Sequence, residues 1–74
     1  NLNVYPNPSN GIINIELDKQ GAYSIRVNDI VGKLVAENEI NSNTTLDLQH
    51  LDTGIYFVNI YNDELSKVVK IIVE

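Results

Sequence analysis

The segment LDTGIYFV, residues 51–58, contains the pattern that decides the fold. It places Asp52, Gly54 and Tyr56 in that order, and the apolar residue Val58 follows two positions after the tyrosine. This is the spacing of a tyrosine corner, in which the tyrosine hydroxyl bonds to upstream backbone where an immunoglobulin-like chain crosses between its sheets. The alternative is an ordinary turn followed by a strand that contains a tyrosine. If the corner is present, the Tyr56 hydroxyl should bond to backbone within residues 48–52.

Alternating apolar and polar residues extend outward from this segment in both directions. Such alternation predicts half-buried strands, and turn residues interrupt it at short intervals. Strands are predicted over residues 2–5, 13–17, 23–28, 34–40, 46–48, 55–61 and 68–73. Seven is the strand count of a constant-type immunoglobulin-like domain. The expected fold class is all-β, a seven-stranded antiparallel immunoglobulin-like β-sandwich, in a single domain over residues 1–74.

The alternation also predicts which side chains form the core, because a slip of one residue would invert the two faces of a strand. The expected core is Ile13, Ile15, Tyr23, Ile25, Val27, Leu34, Leu46, Leu48, Tyr56, Val58, Ile60, Val69 and Ile71.

Turn signals fix the connections between the strands. Asn10 and Gly11 form a strong turn dipeptide, since both residue types tolerate positive φ. In the tight hairpin predicted over residues 29–33, Asp29 can accept bonds from turn amides and Gly32 can take the left-handed position. The segment PNPSNG, residues 6–11, contains two prolines that cannot donate, so it cannot pair as a central strand.

Composition excludes several classes of function. The chain has 74 residues, a net charge of −5 and no cysteine, methionine or tryptophan. The acidic charge argues against nucleic-acid binding, which needs a basic surface. The lack of cysteine excludes disulfides and thiolate metal sites. No apolar run approaches the roughly 20 residues of a membrane span.

No group of residues carries a clear catalytic or metal-binding pattern. His50 is the only histidine, and Asp47 and Asp52 are near it in sequence, but it lies in a short segment typical of a surface turn. Asp63 and Glu64 lack the alternating oxygen ligands and turn glycine of a calcium loop. We therefore expect no enzyme activity, no bound metal, no cofactor and no small-molecule substrate.

Two weaker signals indicate exposed surface. Asn43 begins the glycosylation sequon Asn43-Thr44-Thr45, which suggests an exposed loop. Tyr5, Phe57 and Tyr61 are expected on outer faces, where aromatic rings can bind sugars or pack against loops and partner domains.

Four segments along the chain carry a family resemblance. They read VYPNPSNG at 4–11, VNDIVGKLV at 27–35, LDL at 46–48 with LDTGIYFV at 51–58, and KVVKIIV at 67–73. In this order they resemble the type A carboxy-terminal sorting domains of the type IX secretion system of Bacteroidetes. The chain departs from that family at Asn28, where an aromatic residue is frequent.

The resemblance implies a role in protein export. Such a domain forms the C-terminus of a larger secreted protein and directs this cargo through the outer-membrane type IX translocon, for surface anchoring or release. The cargo would first reach the periplasm by an ordinary signal peptide. A sortase-like surface protease would then remove the domain, by a cleavage expected upstream of Asn1. The translocon and this protease are the implied partners.

Other functions remain open on the residues alone. The domain can be a non-catalytic accessory module of a secreted enzyme, either carbohydrate-binding or a structural spacer. Position in the parent protein separates these possibilities, because a sorting domain must lie at the extreme carboxy terminus. The last predicted strand runs almost to Glu74, which suits a terminal position.

Lys67 and Lys70 are the candidate recognition residues. They are two of only five basic residues, and they flank apolar residues in a strand expected at a sheet edge. An open edge can accept a strand from a partner. Lysines on an edge strand can equally serve to block aggregation. Both interpretations stay open on the sequence.

Overall fold

Seven strands form the domain in a computed structural model, which describes residues 2–74. The strands are β1 (Asn3–Tyr5), β2 (Ile12–Glu16), β3 (Tyr23–Asp29), β4 (Leu34–Ile40), β5 (Thr44–Asp47), β6 (Gly54–Tyr61) and β7 (Ser66–Val73). No helix occurs within residues 2–74, so none is available there to cross a membrane. The expected all-β fold with seven strands is confirmed.

The strands divide into two antiparallel sheets. One sheet has three strands in the order β1-β2-β5, and the other has four in the order β4-β3-β6-β7. In a constant-type immunoglobulin domain the fourth strand joins the first, second and fifth. Here β4 pairs with β3 instead, because the tight hairpin between them keeps the two strands adjacent.

The core lies between the sheets and consists of alternate side chains from both inner faces. Ile13, Ile15, Ile25, Val27, Val58, Ile60 and Ile71 are completely buried. The remaining buried apolar residues are Leu2, Leu17, Tyr23, Leu46, Leu48, Tyr56 and Val73. Val69, expected in the core, is partly buried and packs against it. Leu2, Leu17 and Val73 join the core although they were not expected there.

The expectation that Leu34 belongs to the core is wrong, since 41% of the residue is exposed. Its strand contains a bulge: Val27 pairs with Ala36, but the next residue, Asn28, pairs with Leu34. Val35 is therefore the extra residue in β4. An extra residue reverses the facing of every side chain beyond it. The bulge thus turns Leu34 from the inner face to the outer face.

The hairpin between β3 and β4 forms as expected. The Asp29 Oδ1 atom accepts bonds from the Val31 and Lys33 amides at 3.0 and 2.9 Å. The Gly32 amide donates to the Asp29 carbonyl at 3.0 Å, and Gly32 has a φ of 89°. This is a short hairpin loop that ends in a left-handed glycine.

At the expected turn the Asn10 Oδ1 atom accepts the Ile12 amide at 3.2 Å, but only the glycine adopts positive φ. Gly11 has a φ of 105°, whereas within residues 2–74 no residue other than glycine has positive φ. A Cβ atom at Gly11 would lie only 3.0 Å from the Gln49 Cα atom. This close approach lets the Leu48 amide donate to the Gly11 carbonyl at 2.6 Å.

Residues 6–10, which we call the clamp loop, run along the outer edge of β7. The Ser9 amide donates to the Ile72 carbonyl, and the Glu74 amide donates to the Ser9 carbonyl, both at 2.8 Å. Asn7 extends this contact with its side chain, donating to the Lys70 carbonyl at 2.8 Å and accepting from the Ile72 amide at 3.0 Å. The proline-containing segment thus pairs at a sheet edge and not within a sheet.

Replacing Asn7 with alanine should weaken the attachment of the clamp loop. Asn7→Ala removes two hydrogen bonds to β7, and each typically contributes about 1 kcal/mol to stability. We expect the free energy of unfolding in urea to fall by about 1–2 kcal/mol, and the Ile72 amide to exchange faster with solvent.

Asn41→Ala is the matched control, because Asn41 lies exposed in the loop before β5 and its side chain makes no hydrogen bond to residues 2–74. It should change stability by less than about 0.5 kcal/mol. Equal stability of the two variants would contradict a structural role for Asn7.

Candidate functional site

The outer edge of β7 is open over its first half. The Lys70 and Ile72 carbonyls and the Ile72 and Glu74 amides point away from β6, toward the clamp loop. Because strand groups alternate in direction, the amide and carbonyl of Val68 and the amide of Lys70 point the same way. Within residues 2–74, no strand pairs with them on that side. The expectation of an edge position is confirmed for this half.

Lys67 and Lys70 lie on opposite faces of the sheet. An odd separation along a strand always produces this arrangement. The Lys67 Nζ atom donates to the Leu2 carbonyl at 3.3 Å and so joins β7 to the chain just before β1. Lys70 is on the outer face, opposite Phe57 of β6. The two ammonium groups therefore cannot contact the same flat surface.

Lys70 stands among apolar neighbours on the outer face, a surface that we call the β7 strip. It consists of Val68, Lys70 and Ile72 of β7 together with Phe57 of β6. Val68 is 57% exposed, while Phe57 and Ile72 are partly buried. The β7 strip thus combines a single cation and apolar surface beside an edge that has free backbone groups.

The tyrosine corner holds the start of β6. The Tyr56 hydroxyl donates to the Asp52 carbonyl at 2.6 Å, within the expected range of acceptors. Tyr56 itself is buried, and Val58 two positions later is completely buried. Gly54 begins β6 and pairs with Val73 at the end of β7. The corner therefore positions the strand against which β7 is built.

Of the residues considered for catalysis, Asp47 and His50 line one depression beside Leu46 and Leu48, whereas Asp63 and Glu64 lie elsewhere. His50 and Asp52 are exposed, and Asp47 uses its carboxylate to accept the Gln49 amide at 3.0 Å. Asp63 and Glu64 are exposed in the turn between β6 and β7. Within the described part of the chain, no three histidine, aspartate or glutamate side chains are grouped so that they could hold a metal ion.

An open depression with a mixed polar and apolar lining lies at one end of the four-stranded sheet. It has a volume of about 470 Å³ and lies between the ends of β3, β4 and β6, beside Tyr23, Glu39 and Tyr61. The only histidine, His50, lies outside it.

The aromatic residues do not form a common platform for a sugar. Tyr5 lies on the three-stranded sheet, whereas Phe57 and Tyr61 lie on the outer face of the four-stranded sheet. The Tyr5 hydroxyl donates to Glu16 at 2.9 Å, and this hydrogen bond to a carboxylate raises the pKa of Tyr5. Phe57 and Tyr61 are partly buried, which favours packing over sugar binding for these two rings.

The asparagine of the sequon is exposed, as expected, and also has a structural role. Its Oδ1 atom accepts the Leu17 amide at 2.8 Å just beyond the end of β2. Asn43 thereby anchors the core residue Leu17 to the loop before β5.

Sequence reasoning missed the clamp loop as a partner of β7. The two prolines indicated that residues 6–11 avoid a central strand, but they do not say which edge the segment meets. The opposite facing of the two lysines was available from their spacing alone.

The chain has a clear family match. A family model described as "Secretion system C-terminal sorting domain" matches residues 3–74. The match therefore includes the clamp loop, the tyrosine corner and the whole of β7. No curated protein sequence matches the chain.

Removing the Tyr56 hydroxyl should destabilise the corner. Tyr56→Phe keeps the buried ring and loses only the bond to the Asp52 carbonyl, so we expect the free energy of unfolding to fall by about 1 kcal/mol. Tyr61→Phe is the matched control, since the Tyr61 hydroxyl makes no hydrogen bond to residues 2–74 and should be neutral. Urea unfolding that shows the same stability for both variants would refute the role of the corner.

Proposed function

The chain belongs to the family of C-terminal sorting domains of the type IX secretion system. On this basis we propose that it binds the outer-membrane translocon as a folded, non-catalytic sorting signal. Domains of this family are sorting signals that engage the type IX machinery. They take the attached protein to the cell surface or the extracellular space, and they are usually cleaved off.

The proposed route passes through the periplasm. The attached cargo crosses the inner membrane first, and the domain folds before it meets the translocon. A sortase-like protease at the surface then separates the domain from its cargo. The family match over residues 3–74 is the observation that carries this proposal, because it includes every strand of the fold.

A role in binding, without catalysis, is supported by the surface of the domain. Within residues 2–74 the candidate catalytic residues form no group of three that could hold a metal ion, and His50 is exposed in a turn. A sorting signal requires only a surface that a partner can recognise, and the β7 strip with its adjacent open edge provides one. An open edge permits strand addition, in which backbone bonds supply affinity and side chains supply selectivity.

We propose that Lys70 is the recognition residue of this surface and that Lys67, on the opposite face, has a structural contact instead. Lys70 projects from the outer face among apolar side chains, where a partner can both desolvate and pair its charge. Lys67 is engaged with the Leu2 carbonyl and so helps to hold β1.

The route can be tested with a reporter fusion in a type IX-competent bacterium. A reporter with a signal peptide is followed by this chain, and surface protein is measured with a protease applied to intact cells. We expect surface delivery in the parent strain and periplasmic retention in a strain without the translocon. The same reporter without the domain is the control. Surface delivery in the absence of either the translocon or the domain would refute the proposal.

The two lysines can be separated in the same assay. Lys70→Gln should reduce surface delivery about tenfold if its charge is paired in the complex, with an unchanged unfolding temperature. Lys67→Gln is the matched control on the same strand and should leave delivery nearly unchanged. Normal delivery of both variants, together with greater aggregation of the purified domain, would show that the lysines only protect the edge.

A further inference from the structure

The hairpin between β3 and β4 exposes two adjacent apolar side chains at its tip. Ile30 is 71% exposed and Val31 is 82% exposed, which makes them the most exposed large apolar residues within residues 2–74. Lys33 is exposed beside them. We call residues 30–33 the hairpin tip.

The turn itself does not explain the choice of these two residues. Its hydrogen bonds come from the side chain and backbone of Asp29 and from the backbone of Gly32. The side chains of Ile30 and Val31 contribute no hydrogen bond, and β-branched residues are poor turn formers compared with asparagine, serine or aspartate. Apolar side chains placed in water at a turn therefore indicate a role outside the fold.

The turn holds the two side chains in a fixed position. Asp29 accepts two amides of the loop through Oδ1, and the Asn28 side chain donates to the Gly32 carbonyl at 3.2 Å. A rigid loop loses little conformational entropy when it binds. The hairpin tip is thus preorganised for contact with a partner.

The hairpin tip lies at the end of the sheet that is remote from the cargo. The chain that precedes a C-terminal domain enters at Leu2, and the Leu2 carbonyl contacts Lys67 at the start of β7. Tyr23, at the start of β3, lines the same depression as Leu2 and Lys67. Strand β3 then runs from Tyr23 to Asp29, about 20 Å away. A cargo attached at Leu2 leaves the tip accessible.

We propose that the hairpin tip inserts Ile30 and Val31 into a concave apolar pocket on a protein of the type IX machinery. This inference rests on the proposed function and adds a second contact to it, separate from the β7 strip. Full burial of one aliphatic side chain corresponds to about tenfold to hundredfold in an equilibrium constant. Contact through two such side chains suits a signal that must be recognised and then released.

The size and charge of the tip favour a protein pocket over other occupants. A stable dimer buries about 800 Å² on each partner, far more than two aliphatic side chains provide. Docking tip to tip would also bring two copies of Lys33 together. The net charge of −5 opposes approach to an anionic membrane surface.

The test uses the complete reporter fusion described above. The variant Ile30→Ser with Val31→Asn replaces both apolar side chains with neutral turn formers. We expect surface delivery to fall at least about tenfold, with unchanged unfolding temperature and unchanged periplasmic amount before export. The double variant Ile30→Val with Val31→Ile keeps an apolar tip and should be delivered to the surface as well as the wild type.

Leu65→Ser is the control at the opposite end of the sheet. Leu65 lies in the turn between β6 and β7 and is 40% exposed, so this variant also replaces an exposed apolar turn residue. It should be delivered normally. Equal loss of delivery in Leu65→Ser and the tip variant would overturn the proposal, because loss of any exposed apolar side chain would then have the same effect.

Further measurements separate the remaining outcomes. Binding of the wild-type fusion, but not the tip variant, to vesicles of phosphatidylethanolamine and phosphatidylglycerol would overturn the protein pocket and identify a membrane as the partner of the hairpin tip. A dimer that forms with the wild-type fusion but not with the tip variant in analytical ultracentrifugation would overturn the protein pocket and identify a second copy of the chain as the partner. Normal delivery of the tip variant overturns this inference alone. Failure of the wild-type fusion to reach the surface overturns the proposed function and this inference together.

Discussion

The hydrogen bonds between the clamp loop and β7 are the constraint on which the rest of the structure depends. They connect a loop that leads into the three-stranded sheet with the edge strand of the four-stranded sheet. The two sheets otherwise meet mainly through apolar packing, which is not directional. Ser9 and Asn7 add directed bonds, and these fix where β7 lies along the edge. They also divide that edge into a covered half and an open half.

Much of the fold could be predicted because its strands alternate regularly. Residues such as Ile25, Val27, Val58 and Ile60 follow a period of two without interruption, so their burial was evident. Leu34 could not be placed in this way, since the bulge at Val35 arises from the pairing of two strands and leaves no glycine or proline to mark it. Regular pairing is encoded locally, whereas irregular pairing depends on the partner strand.

The candidate site was less predictable for the same reason. That β7 lies at an edge could be anticipated from its place as the last strand, but its coverage by residues 6–10 depends on a contact between distant parts of the chain. The side-chain bond from Asn7 to β7 has no local signature. The separation of Lys67 from Lys70 is different, because strand geometry alone requires it. The tyrosine corner was the most predictable feature, since its donor and acceptor are only four residues apart.

The clamp loop also has a consequence for protein synthesis. Asn7 leaves the ribosome 63 residues before Lys70 and 65 residues before Ile72, and Ser9 likewise precedes its partners Ile72 and Glu74. The nascent chain therefore cannot complete this set of bonds until translation has passed residue 74. A polypeptide that terminates before Ile72 lacks the backbone groups of Ile72 and Glu74 that bond to the clamp loop, and it also lacks the core side chain of Val73. The two sheets are thus joined by these bonds only after β7 has been translated.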